Sequence, residues 1–279
     1  MITSAMKPAP SFVNPAYIVQ SFWKHRSLIY QLTKREVVGR YRGSVMGLLW
    51  SFFNPILMLA VYTFVFSVVF QARWGGGTGS KTEFAIILFS GLIVYTIFSE
   101  CLNRAPSLIL NNVNFVKKVV FPLEILPWVA MGSTLFHATI SVGVLLIFFF
   151  IVNAYLNWTV IFLPIVVFPL IILTTGLSWF LASLGVFLRD VGQTVGIITT
   201  ILMFLSPIFY PITAIPESYR PLLNLNPLSF VMEQAREVVV WGHSPNWLGI
   251  GIYFLCSLLI AWIGLSWFQK TRRAFADVL

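Results

Sequence analysis

The chain has 279 residues, of which 58% are apolar and only 10% are charged. Soluble domains carry about 25% charged residues because their surfaces must be hydrated. This composition therefore excludes a water-soluble protein and predicts an all-α protein that crosses a membrane several times. The net charge of +9 collects on one face of the topology predicted below, where it suits anionic lipid headgroups or an acidic partner surface rather than nucleic acid.

Residues 1–42 form the first predicted unit, a cytoplasmic tail followed by an interfacial helix. From residue 15 onward, apolar residues alternate with basic ones, a pattern typical of an amphipathic helix that lies in the membrane interface. Charged residues are spread through the first 46 positions. This distribution predicts that no signal peptide is cleaved and that the first span directs insertion.

Residues 43–270 are predicted to form one transmembrane domain with six spans. A bilayer core of about 30 Å requires about 20 helical residues, and the charge-free run 125–188 is long enough for two spans, divided at 153–158. An even number of spans places both termini, including the basic tail 271–279, on the same side. The predicted spans are 46–70, 84–102, 125–151, 159–188, 191–210 and 247–268.

Charge sidedness predicts which side that is. In this topology, 14 of the 18 Lys and Arg residues lie on the face that carries the termini. Basic residues accumulate on the cytoplasmic side of membrane proteins, so both termini are predicted to be cytoplasmic.

The cytoplasmic loop 103–122 is predicted to contain a short helix over 106–118. Lys117 and Lys118 lie at its end, where basic side chains favour the negative pole of the helix dipole, and Pro122 breaks the helix. A short helix parallel to the membrane is a suitable docking surface for a soluble partner, with a solvated connector as the alternative.

The external segment 211–246 is unusually apolar for a loop, and Pro211, Pro216, Pro221 and Pro227 divide it into pieces too short to span. Glu233, Arg236 and Glu237 are predicted to face away from its apolar positions. The segment is predicted to form one or two short gate helices that re-enter the outer leaflet, with a helix lying flat on the bilayer as the alternative. The apolar positions at helical spacing are Leu228, Val231, Met232, Ala235 and Val239.

The glycine-rich stretch 75–82 imitates a phosphate-binding loop. Ser80, however, occupies the position where that loop needs glycine beside its lysine. The stretch also lies on the predicted external face, where cellular ATP is absent. A flexible turn is the interpretation, so no nucleotide is expected to bind to this chain.

Residues suited to catalysis are sparse. His25, His137 and His243 fall in three different compartments, which predicts no shared metal site. Ser133 lies one helical turn before His137, and an intramembrane hydrolase would use a serine and a histidine. Two residues on one helix are a poor geometry for a nucleophile and its base, however, and no nucleophile motif surrounds Ser133, so a polar pair joining helices is favoured. Glu100 is the one acidic residue in the predicted spans, which argues against a proton relay and favours energy supplied from outside the chain.

Four stretches of the chain, in the expected order, resemble the membrane subunits of ABC transmembrane type-2 exporters. The similarity is to those that export lipid-linked polysaccharides such as O-antigen, capsule or teichoic acid. The stretches are Arg40-Tyr41-Arg42-Gly43-Ser44 with Gly47-Leu48-Leu49-Trp50 and Asn54-Pro55; Asn114-Phe115-Val116-Lys117-Lys118-Val119 with Phe121-Pro122; Phe187-Leu188-Arg189-Asp190-Val191; and Ser206-Pro207-Ile208-Phe209-Tyr210-Pro211 with Asn226-Pro227 and Arg236.

The resemblance implies a transport subunit rather than an enzyme, located in the bacterial cytoplasmic membrane. It implies a homodimer of this chain with two copies of a separate ATPase subunit, which would bind ATP and magnesium. It further implies coupling to the ATPase subunit through Asn114, Phe115, Lys117, Lys118, Arg189 and Asp190, and an interfacial motif of Arg40, Tyr41, Arg42 and Trp50 before the first span.

Aromatic residues make up 16% of the chain, and aromatic rings pack on sugar rings while Tyr and Trp retain a polar group. Lipid-facing phenylalanine and interfacial tryptophan are the alternative explanation. A small-molecule or drug exporter and a membrane-embedded glycan-modifying enzyme are the alternative functions. The candidate pore and gate residues are Phe53, Phe204, Phe209, Tyr210 and Arg236.

Overall fold

A computed structural model describes residues 14–69, 74, 81–117 and 121–279 of the chain. Regular structure in these ranges is entirely helical, which confirms the predicted all-α fold. Residues 1–13 of the predicted tail and residues 75–80 of the glycine-rich stretch lie outside the described residues. The helices are α1 (Tyr17–Arg40), α2 (Trp50–Tyr62), α3 (Lys81–Arg104), α4 (Val113–Lys117), α5 (Leu126–Asn153), α6 (Leu163–Phe187), α7 (Val191–Leu205), α8 (Arg220–Asn224), α9 (Pro227–Arg236), α10 (Trp247–Thr271) and α11 (Phe275–Val278).

Five helical segments in the described part of the chain are long and apolar enough to cross a membrane. They coincide with five of the six predicted spans and make this a multi-pass membrane protein. One of them extends α2 through a π-helical stretch, Thr63–Val69. The segments are Gly47–Phe66, Thr82–Ser107, Leu123–Asn153, Trp158–Phe187 and Trp247–Val278.

The predicted span 191–210 is wrong in its extent. Helix α7 has only 15 residues, or about 22 Å at a rise of 1.5 Å per residue, which is shorter than a bilayer core of about 30 Å. It ends at Leu205 because Ser206 precedes Pro207, and proline excludes the helical conformation at the residue before it. Ser206 is accordingly extended, with ψ at 150°.

Helix α3 lies at the centre of the bundle. Residues 84–94 are all buried, and the helix packs against α5, α6, α7 and α9. Around it, α6 and α10 pack closest together through small residues. A Cβ atom added at Gly264 would lie 2.1 Å from the Gly176 carbonyl oxygen, and membrane helices approach this closely only where such residues meet.

The predicted helix over 106–118 is replaced by two 3-10 turns, Ala105–Ser107 and Leu110–Asn112, followed by α4. Ile109 is fully buried in the core between the turns, so the chain follows the end of the bundle instead of leaving it as a straight helix. The side-chain amide of Asn112 also donates to the Leu108 carbonyl at 2.8 Å. Such a local bond from a side chain to the main chain competes with helix formation.

The predicted short helices in 211–246 are confirmed as α8 and α9, with a π-helical stretch, Glu237–Trp241, continuing α9. All five apolar positions predicted at helical spacing are buried. The prediction that Arg236 faces elsewhere is wrong, since only 3% of this residue is exposed. Its long side chain reaches carbonyl groups on neighbouring segments, as described below.

The two described termini lie at the same end of the bundle, because Tyr17 and Arg272 both bind Glu124. We call this the basic end, defined by Arg104, Glu124 and Arg272. The opposite end, which contains α9, is called the α9 end.

Candidate functional site

At the basic end, a buried carboxylate joins parts of the chain that are far apart in sequence. The Glu124 side chain is 4% exposed and accepts hydrogen bonds from the Tyr17 hydroxyl at 2.9 Å and from Arg272 Nη1 at 2.8 Å. Arg272 also donates to the Phe121 carbonyl at 2.7 Å, and Trp179 Nε1 donates to the Glu124 carbonyl at 2.8 Å. Burial, followed by the charge of Glu124, raises the pKa of Tyr17.

A second ionic cluster fastens α1 to the end of α3. Arg40 pairs with Glu100, and Arg104 pairs with Glu36. Arg104 Nη1 lies 3.6 Å from Glu100 Oε1, so the four charges alternate in sign. Glu100 is therefore engaged in ion pairs at a helix end.

The predicted coupling residues of α4 lie at the basic end. Asn114 and Lys117 are exposed, whereas Phe115 is half-buried and its ring stacks on Phe121 with centroids 4.2 Å apart. Lys117 donates to the main-chain oxygen of Leu279, which ties α4 to the segment that follows α10. Lys118 lies outside the described residues.

The turn that carries Arg189 and Asp190, both exposed, lies at the same end. A Cβ atom added at Gly185 would be only 2.2 Å from the Pro106 carbonyl oxygen, so the end of α6 touches the first turn of the coupling loop. The structure thus brings the α6–α7 turn and the coupling segment together on one surface.

Half of the interfacial motif borders a cavity of about 230 Å³ between α2, α3 and α5. Arg40 and Tyr41 line it, and the Tyr41 hydroxyl lies 3.4 Å from His137 Nδ1. His137 Nε2 is buried and has no hydrogen-bond partner among the described residues. Arg42 and Trp50 are exposed and do not line the cavity.

The Ser133–His137 pair is not joined by a hydrogen bond. Ser133 Oγ is buried without a partner in the described part of the chain, and the Nδ1 atom of His137 faces Tyr41 instead. A nucleophile and its base must lie within hydrogen-bonding reach, so this pair does not form the arrangement of a hydrolase.

Three predicted pore residues form one aromatic cluster towards the α9 end. The ring of Phe209 lies 6.1 Å from that of Phe204 and 5.4 Å from that of Phe66, and the Tyr210 hydroxyl donates to the Phe204 carbonyl at 2.8 Å. Phe204 is 61% exposed on the surface of the chain. Phe53 lies apart from this cluster, on the first turn of α2.

Arg236, the remaining gate candidate, joins three segments. Its Nε donates to the Ile87 carbonyl of α3 at 3.3 Å, and its Nη2 donates to the Pro207 carbonyl at 2.6 Å. Its guanidinium carbon lies 4.6 Å from the centre of the Trp74 ring. Gly91 leaves the necessary space, since a Cβ atom there would lie 2.8 Å from Nη2. Burial lowers the pKa of Arg236 to about 10, so the side chain remains charged at neutral pH.

Sequence reasoning missed the Glu124 cluster. The available signal was a lone carboxylate immediately before the 64-residue charge-free run, a position where an unpaired charge would be costly to bury. That signal indicates that Glu124 needs a cation but does not identify it. Its partners Tyr17 and Arg272 lie 107 and 148 residues away.

The spanning helices make this chain a multi-pass membrane protein, and the family to which it belongs defines its class. Residues 27–240 match the ABC-2 type transporter family, and the chain belongs to this family. It is therefore a transport subunit rather than an enzyme, and it works with a separate ATPase partner.

Three relatives illustrate how far the similarity extends. The chain is 29% identical to the O-antigen export system permease protein RfbA of Myxococcus xanthus, over 93% of this chain and 98% of that protein. It is 28% identical to the protein of the same name from Klebsiella pneumoniae, over 90% and 95% of the two chains. It is 26% identical to the polysialic acid transport protein KpsM of Escherichia coli, over 86% and 92%.

Proposed function

We propose that this chain is the permease subunit of an ATP-driven exporter that moves a lipid-linked polysaccharide across the bacterial cytoplasmic membrane. The observation that carries the proposal is the nearly end-to-end similarity to relatives named for O-antigen export and polysialic acid transport. The aromatic cluster of Phe204, Phe209 and Tyr210 supports a sugar substrate, because aromatic faces pack on sugar rings.

Coupling to the ATPase subunit would take place at the basic end. ATP and magnesium would bind to two copies of that subunit, and this chain would receive the movement through Asn114, Phe115, Lys117 and Lys118. Exposure of Asn114 and Lys117 supports this role. Arg189 and Asp190, exposed on the same surface, would form the second contact.

The permease would be a homodimer with the translocation path between the two copies. Within one protomer, only 17% of the most apolar stretch of the first spanning segment is buried. The neighbouring α7 also leaves Ile197, Ile201 and Phe204 exposed. These faces would be covered partly by the second copy and partly by membrane lipids, with Phe53, Phe209, Tyr210 and Arg236 placed along the path.

The interfacial motif would receive the lipid-linked end of the substrate. Arg40 and Tyr41 place a cation and a hydroxyl donor on the 230 Å³ cavity, and a charged phosphate oxygen forms strong hydrogen bonds with such donors. Arg42 and Trp50 would anchor the motif at the cytoplasmic surface. This orientation rests on the excess of basic residues at the basic end.

Deletion of the gene tests the transported substrate. Mutant cells should lack the surface glycan and accumulate it inside, and a plasmid copy should restore export. Glycan analysis of whole cells and of the cytoplasmic fraction measures both quantities. Unchanged surface glycan in the mutant would contradict the proposal.

The coupling surface is tested by the double variant K117E/K118E. Copurification of the ATPase subunit should fall strongly, because two charges at the proposed contact are reversed. The matched control is K270E/R273E, which makes the same charge change at exposed positions of the same end and should copurify normally. Equal copurification of both variants would contradict this docking site.

A further inference from the structure

An open cavity of about 370 Å³ lies at the α9 end, between α9 and the segment that follows Pro211. Sites for small ligands measure about 300–1,000 Å³ and combine apolar or aromatic walls with a few polar groups. This cavity has both kinds of group. The residues used below are Trp74, Glu233, Arg236, Glu237, Trp241 and His243.

Arg236 supplies a donor at this cavity. Its Nε and Nη2 atoms bind main-chain carbonyls, whereas Nη1 is buried without a hydrogen-bond partner in the described part of the chain. Buried polar groups are almost always hydrogen-bonded. Arg236 lines the cavity and is only 3% exposed, so an oxygen atom of a bound ligand would supply the partner that Nη1 lacks.

Two carboxylates supply acceptors. Glu233 is exposed at the cavity, and Glu237 Oε2 lies 2.7 Å from His243 Nδ1. With Arg236, the charges of the lining sum to −1 when His243 is neutral and to zero when it is protonated. The cavity therefore offers hydrogen bonds to hydroxyl groups but does not attract an anion.

Two indole rings complete the lining. The ring of Trp74 stacks over the Arg236 guanidinium at 4.6 Å, and Trp241 is half-buried at the end of the π-helical stretch that continues α9. A pyranose has an apolar C–H face and a rim of hydroxyl groups. The face suits an indole, and the hydroxyl groups suit carboxylates and a guanidinium.

We propose that this cavity binds one neutral sugar residue of the exported polysaccharide as it emerges. The inference rests on the proposed function and deepens it, because it specifies that the exported glycan contains a neutral sugar residue, which binds at the α9 end. A sugar held here would hinder the chain from slipping back during a transport cycle.

Saturation-transfer NMR on the intact permease–ATPase complex in lipid nanodiscs tests the site. The probes are glucose, galactose, mannose, N-acetylglucosamine and the acidic N-acetylneuraminate, each added as the free sugar. Saturation should reach at least one neutral sugar more strongly than N-acetylneuraminate. Trp241→Ala should weaken binding of that sugar roughly fivefold, the effect of losing one aromatic contact, and Glu237→Gln should weaken it as well.

Trp158→Ala is the matched control. This tryptophan is 71% exposed at the same end but does not line the cavity, so its removal should leave the signal unchanged. Equal signals from Trp241→Ala and the wild type, with the thermal midpoints of both proteins unchanged, would overturn the inference. Preferred binding of N-acetylneuraminate would also overturn it.

The proposed function is tested separately by the gene deletion. Loss of surface glycan in the deletion strain, together with an absence of sugar-specific saturation transfer, would overturn the proposed sugar site and leave the proposed function standing. Retention of surface glycan would overturn the proposed function and the inference that rests on it.

Discussion

The basic end and the α9 end of the bundle are held together by different kinds of bond. At the basic end, Glu124 and Glu100 receive charged partners from distant parts of the chain. At the α9 end, Arg236 binds main-chain carbonyls and, within the described residues, forms no ion pair. The pair of the buried Glu124 with Arg272 favours one arrangement of the elements it joins, whereas a carbonyl bond can be exchanged for one to water or a ligand. The comparison predicts a rigid basic end and a more adaptable α9 end.

The largest expected difference between the ends concerns two glycines. Gly185→Ala should destabilise the protein by about 3 kcal/mol, because the new Cβ would lie 2.2 Å from the Pro106 carbonyl oxygen, a main-chain atom. At the α9 end, Gly249→Ala would meet the far edge of the Phe230 ring at 2.7 Å, and that side chain can rotate. Thermal unfolding in detergent should show a large loss for the first variant and a small one for the second. Similar losses would contradict the comparison.

Arg272→Gln tests the Glu124 cluster and should cost about 2–3 kcal/mol, because it leaves a buried carboxylate without its cation. Arg273→Gln is the adjacent control, since Arg273 is exposed, and should leave the thermal midpoint unchanged. ATPase-subunit copurification should fall with Arg272→Gln, since the C-terminus also contacts Lys117. A midpoint equal to that of Arg273→Gln would show that the cluster does not brace the basic end.

Arg236→Lys should have a smaller effect on stability, about 1–2 kcal/mol, because an ammonium group cannot reproduce the planar contacts with two carbonyls and an indole. Export should fall by a larger factor than the loss of stability explains, since α9 would lose its attachment to α3. Arg220→Lys, at a partly exposed position on α8, serves as the control. Normal export by Arg236→Lys would contradict the assignment of Arg236 to the gate.

The smallest expected effect on stability is that of Arg40→Gln. Arg40 is 41% exposed, and exposed ion pairs contribute roughly 0–1 kcal/mol, while Glu100 retains Arg104 as a partner. The thermal midpoint should therefore change little. Export should nevertheless fall if Arg40 receives the substrate, so normal export would remove Arg40 from the proposed path.

Much of the fold was predictable because it depends on local properties of the chain. The length of an apolar run decides whether a segment can span, and five of the six predicted spans match the structure for that reason. Helical spacing likewise identified the buried face of α9. The early end of α7 was also encoded locally, in Ser206-Pro207, but the apolar residues that follow it concealed the signal.

Tertiary structure alone decided which residues meet at the two ends. The sequence places Glu124 beside a long apolar run and Arg272 in a basic tail, but only the packing of α1, α5 and α10 brings Tyr17 and Arg272 to the same carboxylate. The local pattern of α9 indicates that Arg236 avoids the core, yet Gly91 on α3 leaves room for its guanidinium there. Spans follow from the free energy of moving a segment into lipid, which is a sum over neighbouring residues, whereas these sites depend on distances between helices, which a single segment does not contain.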